Sequence, residues 1–178
     1  MNMNRSFFKK FFTRISFAII RIVKIFSEKK YVQQYRMKLK RMGMDIALDD
    51  YYIDPSTYFD NYDYSLIHIG ERVTISREVL FLTHDYSVRI GLSLLEERKK
   101  RGLMLKEIWI EDNCFIGARA SILPGTHIGK NSIVGTGAVV KGNYPENSII
   151  IGNPARVIAN TLEWGEKHRL KHDFIELE

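Results

Sequence analysis

The sequence predicts a parallel β-helix whose wall is built from six-residue repeats. A β-branched aliphatic residue occupies every sixth position from residue 110 to residue 140, at Ile110, Ile116, Ile122, Ile128, Val134 and Val140. A small residue follows most of them four positions later, at Cys114, Ala120, Thr126, Ser132 and Ala138. An α-helix turns by about 100° per residue and would place successive aliphatics on opposite faces. A chain that turns a corner every six residues points all of them inward.

The period also predicts which residues stack. Three repeats make one coil of about 18 residues, so one inward aliphatic lies under the next. The expected pairs are Ile110 with Ile128, Ile116 with Val134, and Ile122 with Val140. Three earlier repeats begin at Ile69, Ile75 and Phe81.

The repeats are interrupted after Thr83, and a histidine stands at the interruption. His84 precedes Asp85, and the hexad pattern is lost over residues 88–106. Loops that leave a rigid scaffold often carry functional residues. His84 is therefore a candidate general base, with Asp85 as the carboxylate that would orient it. The other four histidines, at positions 68, 127, 168 and 172, stand in outward-facing or tail positions.

The segment before the repeats, residues 51–64, is rich in Tyr and Asp. We expect it to form an irregular cap over the open end of the β-helix, as terminal repeats must. An aromatic platform for a sugar is the alternative. Cys114 stands at a small inward position, which indicates a core residue rather than a nucleophile. With a single cysteine the chain has no internal disulfide framework, which favours a reducing compartment.

The N-terminal segment carries most of the positive charge. Residues 1–42 contain twelve Lys or Arg and one acid, a net charge of +11 (12 − 1), and the rest of the chain has −5 (15 − 20). Residues 7–26 predict a basic amphipathic helix. Its apolar face would comprise Phe8, Phe11, Phe12, Ile15, Ile19, Ile22, Val23 and Phe26, and its basic face Lys10, Arg14, Arg21 and Lys24.

This helix is too interrupted by charge to span a membrane, and no cleavage site typical of a signal peptide follows it. Two interpretations stay open: packing on the β-helix or on a neighbouring copy, and peripheral association with an anionic membrane. Nucleic acid is not an expected partner, since no binding module accompanies the charge. The predicted organisation is a helical extension over 1–45, the β-helix over 46–158 with an excursion loop at 88–106, and a C-terminal tail helix over 159–178.

Three motifs together resemble the hexapeptide-repeat O-acetyltransferases, close to those that modify capsular, colanic-acid or nodulation-type saccharides. They are residues 83–87 (THDYS), residues 116–125 (IGARASILPG) and residues 151–158 (IGNPARVI). The resemblance covers about residues 66–158. It implies a left-handed β-helix, a homotrimer, and acetyl-CoA as acyl donor in the groove between subunits, with no metal. The implied acceptor is a saccharide hydroxyl in surface polysaccharide biosynthesis, and a lipid-linked acceptor is open.

The resemblance also implies roles for single residues. His84 matches the catalytic base, which removes the proton of the acceptor hydroxyl as the oxygen attacks the thioester, so the acyl group passes directly from acetyl-CoA to the acceptor. The residues implied to bind acetyl-CoA are Gly117, Ala118, Thr136, Lys141, Pro154 and Arg156, with the two cations near the phosphates. Val140 and Ala159 depart from the family pattern, which leaves more of the phosphate binding to Lys141 and Arg156. N-acetylation of an amino sugar and a membrane-tethered scaffold without activity are the alternatives. The expected location is the cytoplasm, including the inner face of the membrane.

Overall fold

The structure is a computed structural model. It describes residues 3–95 and 102–175, and within these ranges it describes side chains from residue 15 onward. The elements in chain order are α1 Met3–Phe26, α2 Glu28–Arg41, β1 Asp45–Ile46, β2 Tyr58–Phe59, β3 Ile67–Ile69, β4 Thr74–Ile75, β5 Leu80–Phe81, β6 His84–Asp85, α3 Val88–Leu94, β7 Met104–Leu105, β8 Ile108–Ile110, β9 Phe115–Ile116, β10 Ser121–Ile122, β11 His127–Ile128, β12 Ile133–Val134, β13 Val139–Val140, β14 Asn143–Tyr144, β15 Ser148–Gly152, β16 Ala155–Asn160 and α4 Thr161–Lys171.

Within the described residues, the short strands form three large sheets, which the chain visits in turn, and β6 and β7 form a separate two-stranded sheet. The first sheet has the order β1-β3-β8-β11-β14, the second β4-β9-β12-β15-β16, and the third β2-β5-β10-β13. All pairings in these sheets are parallel except that of β15 with β16, which is antiparallel. One strand in each sheet therefore makes one coil, and the coils stack as a parallel β-helix.

The predicted stacking is confirmed by the strand register. Ile110 pairs with Ile128, Ile116 with Val134, and Ile122 with Val140. All of these aliphatics and the predicted small residues are buried. Each buried aliphatic side chain contributes roughly 1.5–3 kcal/mol to the free energy of unfolding. The register continues across the interruption, where Phe81 pairs with Ile122.

The corners between the sheets use backbone conformations that the sequence accommodates. Asn113, Asn131 and Asn147 have φ values of +57°, +58° and +60°, in the left-handed region that asparagine tolerates. Their side chains form a ladder, with Asn113 Nδ2 donating to Asn131 Oδ1 at 2.9 Å and Asn131 Nδ2 to Asn147 Oδ1 at 3.1 Å. Stacked asparagines thus repeat the same corner in successive coils.

The cap over the open end of the β-helix is formed by α2, and here the prediction for residues 51–64 is corrected. Strand β2 lies inside that segment and pairs with β5, so the segment belongs to the first coil. The buried residues of α2 include Tyr31, Val32, Tyr35 and Leu39. Their apolar side chains cover the end of the core that the first coil leaves open.

The helical extension is two helices rather than one. Ser27 between them is extended, and its side-chain oxygen accepts a hydrogen bond from the backbone N–H of Lys30 at 3.3 Å, as an N-cap of α2. The side chains of Phe8, Lys10, Phe11, Phe12 and Arg14 lie outside the described residues. Among the described residues, no helix is long and apolar enough to cross a membrane.

The excursion is not simply a loop. It starts with β6, continues into α3, and returns through β7, which pairs antiparallel with β6 so that His84 lies opposite Leu105. Residues 96–101 lie outside the described part. At the other end, α4 has no buried residue. The helix of the predicted tail, residues 159–178, spans Thr161–Lys171 in the structure.

Candidate active site

His84 stands at the corner where the chain leaves the third sheet. Strand β5 ends at Phe81, and the backbone N–H of Leu82 still bonds to the carbonyl of Ile122 in the next coil. The rigid coil therefore fixes the backbone up to Thr83, which is fully buried. The His84 side chain is 26% exposed, so its imidazole is anchored on one side and open on the other.

The carboxylate that contacts His84 is Asp60, which sequence reasoning missed. Its Oδ2 atom contacts the Nδ1 atom of His84 and accepts hydrogen bonds from Thr83 N at 3.0 Å and Thr83 Oγ1 at 2.9 Å. Its Oδ1 atom accepts from Tyr62 N at 3.1 Å. Burial alone would raise the pKa of Asp60, but the hydrogen bonds from His84, Tyr62 and Thr83 outweigh burial and hold this pKa below its usual value.

This geometry determines which nitrogen of His84 is free. An ionised carboxylate only accepts hydrogen bonds, so Nδ1 of His84 carries the proton that Asp60 accepts. The neutral ring then has its lone pair on Nε2. A buried aspartate, held by three neighbours, thus orients an imidazole with its basic nitrogen away from the core.

Asp85 has a different setting from the one expected. Its Oδ1 atom accepts a hydrogen bond from the backbone N–H of Ser87 at 2.7 Å, just before α3. Hydrogen bonds from Ser87 are the main cause that lowers the pKa of Asp85, and the charges of Lys141 and His84 add to it. Asp85 is therefore a turn residue beside the imidazole, and Lys141 lies near the same corner.

Two tyrosine rings flank His84. The ring centroid of Tyr62 is 5.5 Å from that of His84, and that of Tyr86 is 5.2 Å away in an edge-on arrangement. The guanidinium of Arg89 lies 4.7 Å from the centroid of the Tyr86 ring. Both tyrosines are exposed. Tyr62 lies in the segment of residues 51–64, for which an aromatic platform for a sugar was the alternative prediction, and Tyr86 lies in the motif of residues 83–87.

The other histidines do not share this setting. His68 and His127 lie on the outer face of the first sheet on either side of Trp109, with the His68 and Trp109 ring centroids 3.6 Å apart. His127 Nε2 contacts Glu111 Oε1 at 2.8 Å. His168 pairs with Asp173 in the tail. Within the described residues, no group of three His, Cys, Asp or Glu side chains is placed to hold a metal ion.

Cys114 is buried in the core of the β-helix, as predicted, and directly precedes β9. Its Sγ atom lies 3.4 Å from the carbonyl oxygen of Gly129, and burial raises the pKa of its thiol to about 11. A thiol that stays protonated at neutral pH is a poor nucleophile. Cys114 is thus a core residue.

The residues expected to bind acetyl-CoA occupy two places in the fold. Gly117, Ala118 and Thr136 lie together at the corner between the second and third sheets, where Gly137 N donates to Ala118 O at 2.8 Å. A Cβ atom on Gly117 would lie 2.7 Å from the backbone nitrogen of Thr136. Gly117 therefore permits the close stacking of two coils, whether or not it contacts a ligand.

The remaining three residues lie toward the C-terminal end of the β-helix. Lys141 follows β13, Pro154 stands in the turn between β15 and β16, and Arg156 is on β16. All three are exposed. Exposed Lys and Arg side chains are suited to bind phosphate groups.

The comparisons with known proteins agree with this architecture. A family model described as the hexapeptide repeat of succinyl-transferase matches residues 107–141. The chain is 32% identical over 143 residues to the galactoside O-acetyltransferase of Escherichia coli (strain K12), a match that covers 71% of this chain and 68% of that protein. It is 37% identical over 95 residues to a candidate acetyltransferase of Saccharomyces cerevisiae, covering 53% of this chain and 48% of that protein.

Among solved structures, a galactoside acetyltransferase in complex with coenzyme A has a similar fold. The TM-score is 0.60 at 24% identity, over 92% of this chain and 86% of the other. The repeat, the fold and the bacterial relative define an acyltransferase. The chain belongs to the hexapeptide-repeat acetyltransferase family.

Proposed function

We propose that this protein transfers the acetyl group of acetyl-CoA to a hydroxyl of a saccharide, with His84 as the general base. The observation that carries the proposal is the contact of His84 Nδ1 with the buried Asp60, which leaves Nε2 free to accept a proton. A galactoside O-acetyltransferase among the relatives supports a sugar hydroxyl as the acceptor.

The reaction needs only proton transfer and one displacement. Nε2 of His84 takes the proton of the acceptor hydroxyl as its oxygen attacks the thioester carbonyl carbon. The carbon–sulfur bond then breaks, and the leaving thiolate takes the proton from His84. Asp60 holds the ring in place and stabilises the imidazolium that forms between the two proton transfers. No covalent acyl-enzyme is required, and the buried Cys114 takes no part in the reaction.

Each part of acetyl-CoA is assigned to residues whose chemistry fits it. The corner formed by Ala118 and the exposed Thr136 presents backbone and small side chains to the pantetheine arm. Lys141 and Arg156 provide positive charge for the phosphates, with Pro154 beside the adenine. Gly117 contributes by permitting the corner itself.

We propose further that the active assembly is a homotrimer of left-handed β-helices with the groove between subunits. In one chain, the corner of Ala118 and the corner of His84 are separated by one flat side of the coil. The five residue steps from Ala118 to Leu123, which include β10, span at most roughly 16 Å at about 3.3 Å per step. A neighbouring copy that brings its corner toward His84 would complete the site.

The acceptor is proposed to pack against Tyr62 and Tyr86. Both rings lie within 5.5 Å of the imidazole centroid and are exposed. Aromatic rings are suited to cover the apolar face of a sugar while hydroxyls stay free. A role in surface polysaccharide biosynthesis follows if the preferred acceptor is an oligosaccharide or its lipid-linked form.

Replacing His84 by Ala tests the base. We expect acetyl transfer to a panel of saccharides to fall by roughly 10²–10⁴, while coenzyme A still raises the melting temperature. His127→Ala is the matched control, since this histidine is also exposed and also paired with a carboxylate. Turnover retained in His84→Ala would reject the assigned base. Acceptors with a free amine in the panel separate O-transfer from N-transfer.

A further inference from the structure

Helix α1 presents a stripe of apolar side chains to solvent. Ile15, Ile19, Ile22 and Phe26 are 39%, 57%, 54% and 83% exposed. Their spacing of four, three and four residues places them on one face of the helix. Where the side chains of the predicted apolar face are described, from Ile15 to Phe26, most of them are therefore not covered by the chain's own β-helix.

The opposite side of α1 explains why the stripe points outward. Ile20 is buried, and Phe17 and Val23 pack against the core. Arg21 Nη2 donates to the carbonyl of Pro55 at 2.6 Å, and Lys24 binds the Tyr52 hydroxyl and lies 3.8 Å from Asp54 Oδ2. Arg21 and Lys24, two of the four residues predicted for the basic face, thus hold α1 on the first coil.

A groove between α1 and α2 borders this stripe. It has a volume of about 340 Å³ and is lined by Ser16, Ile19, Ile20, Gln34, Met37, Lys38 and Arg41. Ile19 belongs to both the stripe and the groove. On α2, Gln34, Met37, Lys38 and Arg41 follow one another at helical spacing. Two cationic side chains therefore stand beside the exposed aliphatics.

The charge of this region decides which partner fits it. Residues 1–42 carry a net charge of +11. Two copies that met through this surface would bring like charges together, whereas an anionic lipid surface attracts them. Apolar side chains flanked by Lys and Arg are also the composition of helices that lie in the membrane interface.

We propose that the surface formed by α1 and α2, termed the α1–α2 face, binds anionic phospholipid membranes. Ile15, Ile19, Ile22 and Phe26 enter the boundary between headgroups and acyl chains, and Lys38 and Arg41 contact lipid phosphates. The association is peripheral, with the helices in the plane of the surface. This inference does not depend on the proposed acetyl transfer.

Co-sedimentation of the full chain with vesicles tests the proposal. We expect binding to phosphatidylcholine vesicles that contain about 30% phosphatidylglycerol, and at least about tenfold weaker binding to phosphatidylcholine alone. Raising the salt concentration should weaken the binding, because the phosphate contacts are screened. Lys38→Glu with Arg41→Glu, and separately Ile19→Ser with Ile22→Ser, should each reduce binding about tenfold or more.

A matched control comes from the other end of the chain. Leu162 and Leu170 on α4 are also exposed, at 68% each. Leu162→Ser with Leu170→Ser should leave vesicle binding unchanged. Equal binding to neutral and anionic vesicles would overturn the proposal, as would equal loss in the control. If Ile19→Ser with Ile22→Ser instead changes the assembly mass in light scattering and no variant binds vesicles, the stripe is a contact between copies.

Discussion

Asp60 and Asp85 are both near His84, but they differ in what they bind. Asp60 contacts the imidazole and is only 1% exposed, whereas Asp85 accepts a hydrogen bond from Ser87 at the edge of α3. At the residue scale, substitution of Asp60 is therefore expected to impair the base, whereas substitution of Asp85 is not. Replacing each aspartate in turn therefore tests which of the two positions the base.

We predict that Asp60→Asn lowers kcat by about 10² or more, since an amide neither stabilises an imidazolium nor favours the same tautomer. The KM for acetyl-CoA should stay nearly constant, because the buried Asp60 contacts His84, Thr83 and Tyr62 and none of the residues proposed to bind coenzyme A. Steady-state kinetics with a saturating saccharide measures both. Asp85→Asn is the control, with kcat close to that of the parent. The reverse ranking of the two variants would return the positioning role to Asp85.

The same aspartate predicts a pH dependence of stability. The pKa of Asp60 is lower in the folded protein than in the unfolded chain, so its contribution is present above the unfolded pKa, about 4. It is lost as the pH falls through the folded pKa. The free energy of unfolding, measured by urea denaturation between neutral and acidic pH, should therefore fall less in Asp60→Asn than in the parent. Parallel curves for the two proteins would contradict this linkage.

At the scale of elements, Arg36 ties α2 to the end of the β-helix. Its fully buried guanidinium donates to the carbonyls of Ala47, Tyr51 and Val73, each at 2.9 Å, and lies 3.0 Å from Asp49 Oδ1. These carbonyls belong to the first two coils, where the open end of the solenoid would leave them without a partner. One side chain thus satisfies the terminal backbone and holds the cap.

We predict that Arg36→Met lowers the free energy of unfolding by about 3–5 kcal/mol, because it removes the cation that pairs with Asp49 and the donor of three carbonyls. Chemical denaturation followed by circular dichroism measures the loss. Lys30→Met is the control on the same helix, where an exposed side chain should change stability by no more than about 0.5 kcal/mol. A loss in Arg36→Met as small as that of the control would show that the cap does not need the buried cation.

At the scale of the whole molecule, the question is whether one chain contains a complete site. The proposed base stands at one corner of the coil, and Ala118 and Thr136 stand at the preceding corner. If two copies share the site, two variants that are each inactive alone restore activity when they assemble together. A site contained within one chain cannot be restored in this way.

We predict that His84→Ala and Thr136→Trp are each inactive alone and complement each other in mixed trimers. Thr136 is exposed, so the larger Trp side chain blocks the proposed acetyl-CoA groove without entering the core. In trimers assembled at random from equal amounts of the two variants, about a quarter of the interfaces would pair an intact His84 with an intact Thr136. Acetyl transfer by the co-expressed pair measures this. Mixed trimers without activity would place the whole site within one chain.

The sequence was sufficient for the wall of the β-helix and for the position of His84. The inward aliphatics recur at a fixed local spacing, so the register of stacked coils could be counted directly from Ile110 to Val140. The interruption of that count isolated His84. By contrast, β2 was not recognised, because the first coil does not keep the six-residue period. Had Phe59 been taken as an inward residue that pairs with Phe81, Asp60 would have been placed opposite Leu82, close to Thr83 and His84.

What the sequence by itself determined is the repeat, the coil register and the histidine at its break, because each depends on short-range periodicity. Tertiary structure alone decided that Asp60, 24 residues away, binds His84, and that Arg36 enters the core. It also decided which face of α1 is exposed. Arg21 and Lys24 find acceptors on the first coil, and those contacts outweigh the simple rule that charge faces solvent. Such contacts join residues that are distant in the sequence and meet only when the chain folds, so no local sequence pattern predicts them.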